Sequence, residues 1–182
     1  MEMNALSNGV IKLRAVEPSD GLLMAQWEND PSVWGVSNRT TPYSEDFLKK
    51  YTDSTGADFW EMGQMRFIVE ELSSGKAVGA VDFFDAQALH QRAGVGIFVE
   101  KSSRGKGLAV EALQLAHQWA FDHALLHQVC AEVHADNAPC LAVFKKVGYK
   151  EAGLWRQWHR TRKGFKDVVL FQFFADNEDS SL

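Results

Sequence analysis

Arg104-Gly-Lys-Gly-Leu-Ala109 follows a β-rich run and leads straight into an amphipathic helix, and its reading decides the fold. Two glycines let the backbone come close to an anion, and a helix that starts here leaves several N–H groups unpaired and converging. The helix N-terminus adds positive potential, and Arg104 and Lys106 add mobile countercharge. The stretch therefore reads as a seat for a phosphate, against the plainer alternative that Gly105 and Gly107 make a flexible connection. It is not a Walker A loop, because Lys106 is followed by glycine and the hydroxyl that would hold magnesium is missing. Nor is it a dinucleotide fingerprint, since Gly94, Gly96 and Val99 break the three-glycine pattern and lie mid-chain.

Working outward, the apolar residues Leu108, Ala112, Leu115, Ala116, Trp119 and Ala120 recur at spacings of three and four, which predicts a helix over 107–124. A strand over 128–135 follows, then a short helix capped by Asn137, with Pro139 in its first turn and Gly148 at its end. Two last strands are expected over 151–160 and 166–174, leaving an acidic, frayed tail at 175–182. Upstream of the glycine loop, strands are expected over 66–71, 77–85 and 93–100, the first two joined by Ser73-Ser-Gly-Lys76. Before them come a strand over 9–16, a helix over 21–29 stopped by Asp30-Pro31, a polar loop over 32–41 containing Trp34 and Arg39, and a helix capped by Ser44. The order is βαα, three strands, helix, strand, helix, two strands: an α/β mixed sheet.

Composition bounds the function. The chain has 182 residues, 46% of them hydrophobic, enough for one domain (1–182) with a real core. A net charge of −5 argues against nucleic acid and for a cationic partner. No apolar run approaches a membrane span and no signal-peptide core is visible, so a cytoplasmic protein is expected. Cys130 and Cys140 fit a reducing compartment, and no zinc spacing exists. His123 and His127 lie where the helix is ending, so no metal is expected.

Two landmarks now carry a family resemblance. Arg104, Gly107 and Ala109 match, in register, the Arg/Gln-x-x-Gly-x-Gly/Ala signature of GNAT-superfamily N-acetyltransferases, and Asn137 with Lys146-Val-Gly-Tyr149 matches that family's second landmark. Within the superfamily, Arg66-Phe-Ile-Val-Glu70, Gly79-Ala-Val-Asp82, His90-Gln-Arg-Ala93, Leu126-His127 and Gly164-Phe-Lys-Asp167 resemble the bacterial spermidine/spermine acetyltransferases. Leu13-Arg14, Asp20, Trp27 and Asn29-Asp30 resemble the ribosomal-protein N-terminal acetyltransferases as much.

The resemblance implies a GNAT fold, with a mostly antiparallel seven-stranded sheet splayed between its fourth and fifth strands. It implies acetyl-CoA as co-substrate and direct attack of a primary amine on the thioester. A small polyamine-like amine ranks ahead of a protein α-amine, and a non-catalytic acyl-CoA-binding module is the competing class. Ile97, Phe98 and Val99 are expected along the pantetheine, Arg104, Gly105, Lys106, Gly107, Leu108 and Ala109 around the pyrophosphate, and Asn137, Phe144 and Lys146 nearby. Asn137 is equally well read as a helix cap. Phe144 stands where many relatives place a proton-donating tyrosine. Cys140 is a weaker candidate acid, or else a small buried residue. Gly94 stands where the family often has a carboxylate base, so Asp82 is the leading substitute and Glu132 and His134 follow. Glu28, Asp30 and Asp85 are candidates to neutralise a cationic acceptor and Trp34 to wall its site, each with a plainer structural role beside it. Trp155, Trp158, His159, Arg160 and Arg162 form an aromatic-basic cluster, read as a strand face at a dimer or substrate-site rim. A homodimer or higher homo-oligomer fits that reading.

Overall fold

The computed structural model describes residues 6–34, 41–53 and 58–175. Seven strands form one sheet in the order β1-β2-β3-β4-β5-β7-β6: β1 Ile11–Ala15, β2 Met65–Glu71, β3 Lys76–Gln87, β4 Arg92–Val99, β5 Gln128–His134, β6 Lys150–Thr161 and β7 Gly164–Phe174. All neighbours are antiparallel except β4 and β5. The helices are α1 Gly21–Glu28, α2 Pro31–Trp34, α3 Glu45–Asp53, α4 Phe59–Met62, α5 Leu108–Gln118 and α6 Ala138–Val147.

The sheet has a core on each face. On one, α5 covers Leu13, Val69, Val81, Phe83 and Val95 with its buried residues Leu108, Ala112, Leu113 and Leu115. On the other, Met24, Ala25 and Trp27 of α1 and Leu48 of α3 pack on Ile68 and Ala80. Consecutive apolar residues of β2 and β3 point to opposite faces and so feed two cores, as expected of central strands covered on both sides.

Four elements depart from the sequence reading. Asp30-Pro31 ends α1 but also opens α2: proline suits the first position of a helix, where its missing N–H costs nothing. Helix α4 was not expected; Asp58 caps it by accepting from the Trp60 N–H at 2.9 Å, and Gly63 ends it at φ +66°. Four residues are too few for periodicity to register. The helix expected to run to residue 124 is α-helical only to Gln118 and then widens into a π turn, Trp119–His123. That turn sets the Trp119 ring among Phe59, Phe67 and Phe83, with centroids 5.0–5.1 Å away. Strand β3 runs two residues past Asp85, through that residue's positive φ of 50°. Arg39 and the acidic tail at 176–182 lie outside the described residues.

Candidate active site

One wall of the candidate site begins where β4 and β5 part. They pair only at Arg92–Gln128, Ala93–Val129 and Gly94–Cys130. Beyond that point β4 is bonded to β3 alone, through Val99, so residues 95–99 face an open wedge on the β5 side. Arg104 follows β4 closely: its Nε–H donates to the Val99 carbonyl at 2.9 Å, and the rest of the side chain is exposed. Gly105 and Gly107 both have positive φ, +78° and +81°, and a Cβ on either would meet nothing within 4 Å. These glycines serve backbone shape and leave the space before the loop open. The Gly107 carbonyl accepts from the Val110 and Glu111 N–H groups, so the amides of Leu108 and Ala109 are the unpaired first-turn donors of α5. The Leu108 side chain is buried and pins this end of the helix. Lys106 lies 3.7 Å from Glu71.

Helix α6 forms the other wall. Asn137 caps it, its Oδ1 accepting from the Cys140 N–H at 3.3 Å. Lys146 is exposed in the last turn. Phe144, expected beside the cofactor, is only 2% exposed, edge-on to Tyr149 and stacked on Phe171. Its ring serves the core, since a phenyl has neither a proton nor a hydrogen bond to offer. Tyr149 is buried too, its hydroxyl 2.8 Å from His117 Nε2, and burial raises it far above the ordinary phenol range. Cys140 is half-buried against the core, and burial pushes its thiol up to about 11. It stays protonated at neutral pH, but it does not line the cleft between α1, α3 and the sheet.

That cleft, about 720 Å³, lies between α1, α3 and the sheet. Glu28, Asp82, Asp85, Glu132, Ile97 and Phe98 line it; Asp30 and Trp34 do not. Asp30 is exposed beyond α1, and the Trp34 indole N–H donates to the Glu28 carbonyl at 2.8 Å, so it fastens α2 onto α1. Asn29 holds the segment before α3, donating to the Tyr43 carbonyl at 3.0 Å and accepting from its N–H at 2.8 Å. Tyr43 then stacks on Phe47, 5.1 Å between centroids, as an aromatic wall.

Asp82 is not alone. Opposite it in register on β2, Arg66 donates from Nε and Nη2 to both its oxygens, at 2.6 and 3.0 Å, and from Nη1 to Glu28 at 2.6 Å. Burial works against the guanidinium charge, but the two carboxylates outweigh it and raise Arg66 above its ordinary value. Asp82 and Gly96 are cross-strand partners, and Glu132 lies two residues past the last β4–β5 pair, as Gly96 does. Asp82, Gly96 and Glu132 therefore sit level with one another across the wedge.

Among the contributors to the cleft that were not picked out as site residues from the sequence are Arg66, Phe84 and His159. Arg66 interrupts the apolar run from Met65 to Val69, which was a usable signal. His159 was read only as part of the aromatic-basic cluster. Of that cluster, Trp155 and Trp158 are exposed, with centroids 4.3 Å apart, while His159 turns inward. Among the described residues no group of three or more His, Cys, Asp and Glu is arranged to hold a metal, and no helix is long and apolar enough to cross a membrane.

Comparison with known proteins agrees with the geometry. The model of the acetyltransferase (GNAT) domain matches residues 11–150. The spermidine N(1)-acetyltransferase of Escherichia coli K12 is 28% identical over 143 residues, covering 79% of this chain and 74% of that one. The Vibrio cholerae spermidine N-acetyltransferase, solved with CoA and spermine, superposes with a TM-score of 0.83 at 20% identity, covering 92% and 96% of the two chains. The ribosomal-protein-S5-alanine acetyltransferase of Vibrio fischeri also reaches 0.83, at 16% identity, covering 94% and 96%. At such identities the two structures speak for the fold, which is shared by enzymes with different acceptors.

Proposed function

The chain belongs to the GNAT acetyltransferase family, and from that premise we propose that it moves the acetyl group of acetyl-CoA to a small polyamine-like amine. One observation carries the acceptor: the cleft beside the β4–β5 wedge sets four carboxylates, Glu28, Asp82, Asp85 and Glu132, against the single guanidinium of Arg66. Such a surplus of negative charge between aromatic walls suits a chain of methylenes carrying ammonium groups. The spermidine acetyltransferase among the relatives supports the same reading.

Donor binding falls to the wedge and the glycine loop. The edge of β4 over Ile97, Phe98 and Val99 suits an extended pantetheine, and the first-turn amides of α5, with Arg104 and Lys106, suit the pyrophosphate. On this reading the thioester lies near Gly96, between Asp82 and Glu132. The amine attacks the carbonyl directly, so the enzyme needs no nucleophile of its own. It has to orient the two substrates and accept the ammonium proton. Asp82 holds Arg66 with both oxygens, which makes it an anchor of the cleft before it is a base.

The test is release of CoA thiol from acetyl-CoA with spermidine, small diamines, amino sugars and an N-terminal peptide offered separately at neutral pH. Saturable release with spermidine or a diamine is expected, and Asp85→Asn should raise KM for the amine by on the order of tenfold, the loss of about 1.4 kcal/mol of ion pairing. Release with the peptide alone would replace the polyamine by a protein α-amine.

A further inference from the structure

Strand β6 does not run evenly along β7. Trp155 pairs with Val168 and His159 with Lys166, so four steps of one strand face two of the other. The surplus is taken up around Gln157, at φ +50°, whose N–H donates to Asp167 Oδ1 at 2.7 Å. Glutamine has no preference for left-handed backbone; the carboxylate across the hairpin helps hold it there. Bulges of this kind re-aim side chains and are common beside active sites.

The side chain re-aimed is His159. On a strand otherwise exposed almost throughout, its side chain is 15% exposed and lines the acceptor cleft. Nδ1 lies 2.9 Å from Nε2 of the buried His134, and Nε2 lies 3.5 Å from Glu132 Oε2. Across the wedge, β4 has no such group. The Phe84 ring lies over Gly94, where a Cβ would stand 2.4 Å from Cε2.

We propose that His159 is the general base of the transfer, with His134 as the positioning residue that fixes its ring and Glu132 as countercharge to the imidazolium. This rests on the amine acceptor argued above. The acceptor ammonium gives one proton to His159 Nε2, and the freed nitrogen lone pair forms the C–N bond at the thioester carbonyl. As the C–S bond breaks, its electron pair leaves on sulfur. The surplus N–H proton of the new amide passes to that sulfur, and His159 returns its own proton to solvent.

The step requires Nδ1–H of His159 to donate to Nε2 of His134. Burial, the His159 ring and Lys166 together hold His134 below the usual imidazole range, which keeps it neutral and able to accept. The charged groups around the pair are Glu132 on β5, Lys166 on β7, itself paired with Asp136, and across the cleft Asp82, Asp85 and Glu28 with Arg66.

The experiment follows CoA-thiol release against pH with whichever amine of the panel wild type turns over. If that amine is not a polyamine, the acceptor reading falls while the His159 comparison proceeds with it. His159→Gln is expected to lower kcat/KM on the order of 100-fold at pH 7, with the deficit shrinking above about pH 9, where more of the amine is already unprotonated. Its acetyl-CoA Kd should stay within about twofold of wild type, and added imidazole should restore part of the activity of His159→Ala. His134→Leu is expected to lose about tenfold and to move the acid limb of the profile. A His159→Gln enzyme within threefold of wild type at pH 7, or equally impaired at every pH, overturns the proposal. Ring-nitrogen NMR supplies a readout that needs no turnover: a coupling through the hydrogen bond between His159 Nδ1 and His134 Nε2 is expected, and its absence removes His134 from the role.

Discussion

With Asp82 on two of its guanidinium nitrogens and Glu28 on the third, Arg66 keeps two half-buried carboxylates 16 and 38 residues away in sequence from repelling each other. Arg66→Met should therefore cost about 2–4 kcal/mol in urea unfolding, somewhat under the figure for a fully buried network because all three groups retain some solvent. Arg66→Lys should recover only part of it, since one ammonium cannot reproduce the planar fork. The sequence marked Asp82 as an interruption of an apolar strand but not its partner, because the pairing depends on β2–β3 register. His117 makes a different prediction. Packed against Tyr149 and Phe173, it is lowered by burial to about 4. As pH falls below about 6.5 the unfolded chain takes up a proton that the folded chain refuses until about pH 4, so stability drops across that window by up to about 3 kcal/mol. His117→Phe leaves Tyr149 without its partner and should be about 1 kcal/mol less stable at pH 7. The deficit should vanish or reverse near pH 4.5, and urea midpoints at the two pH values decide it.

At the scale of the strands, two glycines that look alike in sequence differ in what surrounds them. A Cβ on Gly79 would stand 2.2 Å from the Phe98 carbonyl oxygen, on the strand paired with its own, and backbone cannot step aside. Gly79→Ala should cost about 2–3 kcal/mol and loosen β3 from β4 just before the glycine loop. On Gly94 the obstacle is the Phe84 ring, the end of a side chain that is 38% exposed and can swing away. Gly94→Ala should cost no more than about 1 kcal/mol, some 2–4 °C in Tm for a domain of this length, while reshaping the cleft and lowering turnover. Equal losses of Tm would mean that Phe84 is locked in place. Sequence reading found every strand from its apolar residues, α5 from its repeat, and α1, α3 and α6 from the caps and stops around them. It missed α2, α4 and the π turn, which are set by Pro31, Asp58 and local packing. It also missed the β6 bulge, since a slip of register leaves no mark on the alternation of one strand.

Across the whole molecule, the β4–β5 wedge lies between two cores of unequal size, the larger beneath α5 and the smaller beneath α1 and α3. The glycine loop caps the larger one through Leu108, whereas the cleft is walled by the smaller, so in the proposed reaction the two substrates meet where the two cores join. In the proposed binding mode acetyl-CoA spans the wedge where the β4–β5 hydrogen bonds cease after Gly94 and Cys130. Acetyl-CoA at about 100 times its Kd should accordingly stabilise the fold by about 2.7 kcal/mol, or some 5–10 °C in Tm. Arg104 is the residue on which this can be tested cleanly, because it is exposed and the one described hydrogen bond of its side chain reaches the Val99 carbonyl beside the wedge. Arg104→Glu reverses the charge at the proposed pyrophosphate seat and should weaken binding by at least about tenfold, removing about 1.4 kcal/mol of that stabilisation at the same ligand concentration. The thermal shift of the variant should then fall to about half that of wild type, while the Tm values without ligand stay within about 2 °C. An undiminished shift would mean that the pyrophosphate is held elsewhere than at Arg104-Gly-Lys-Gly-Leu-Ala109.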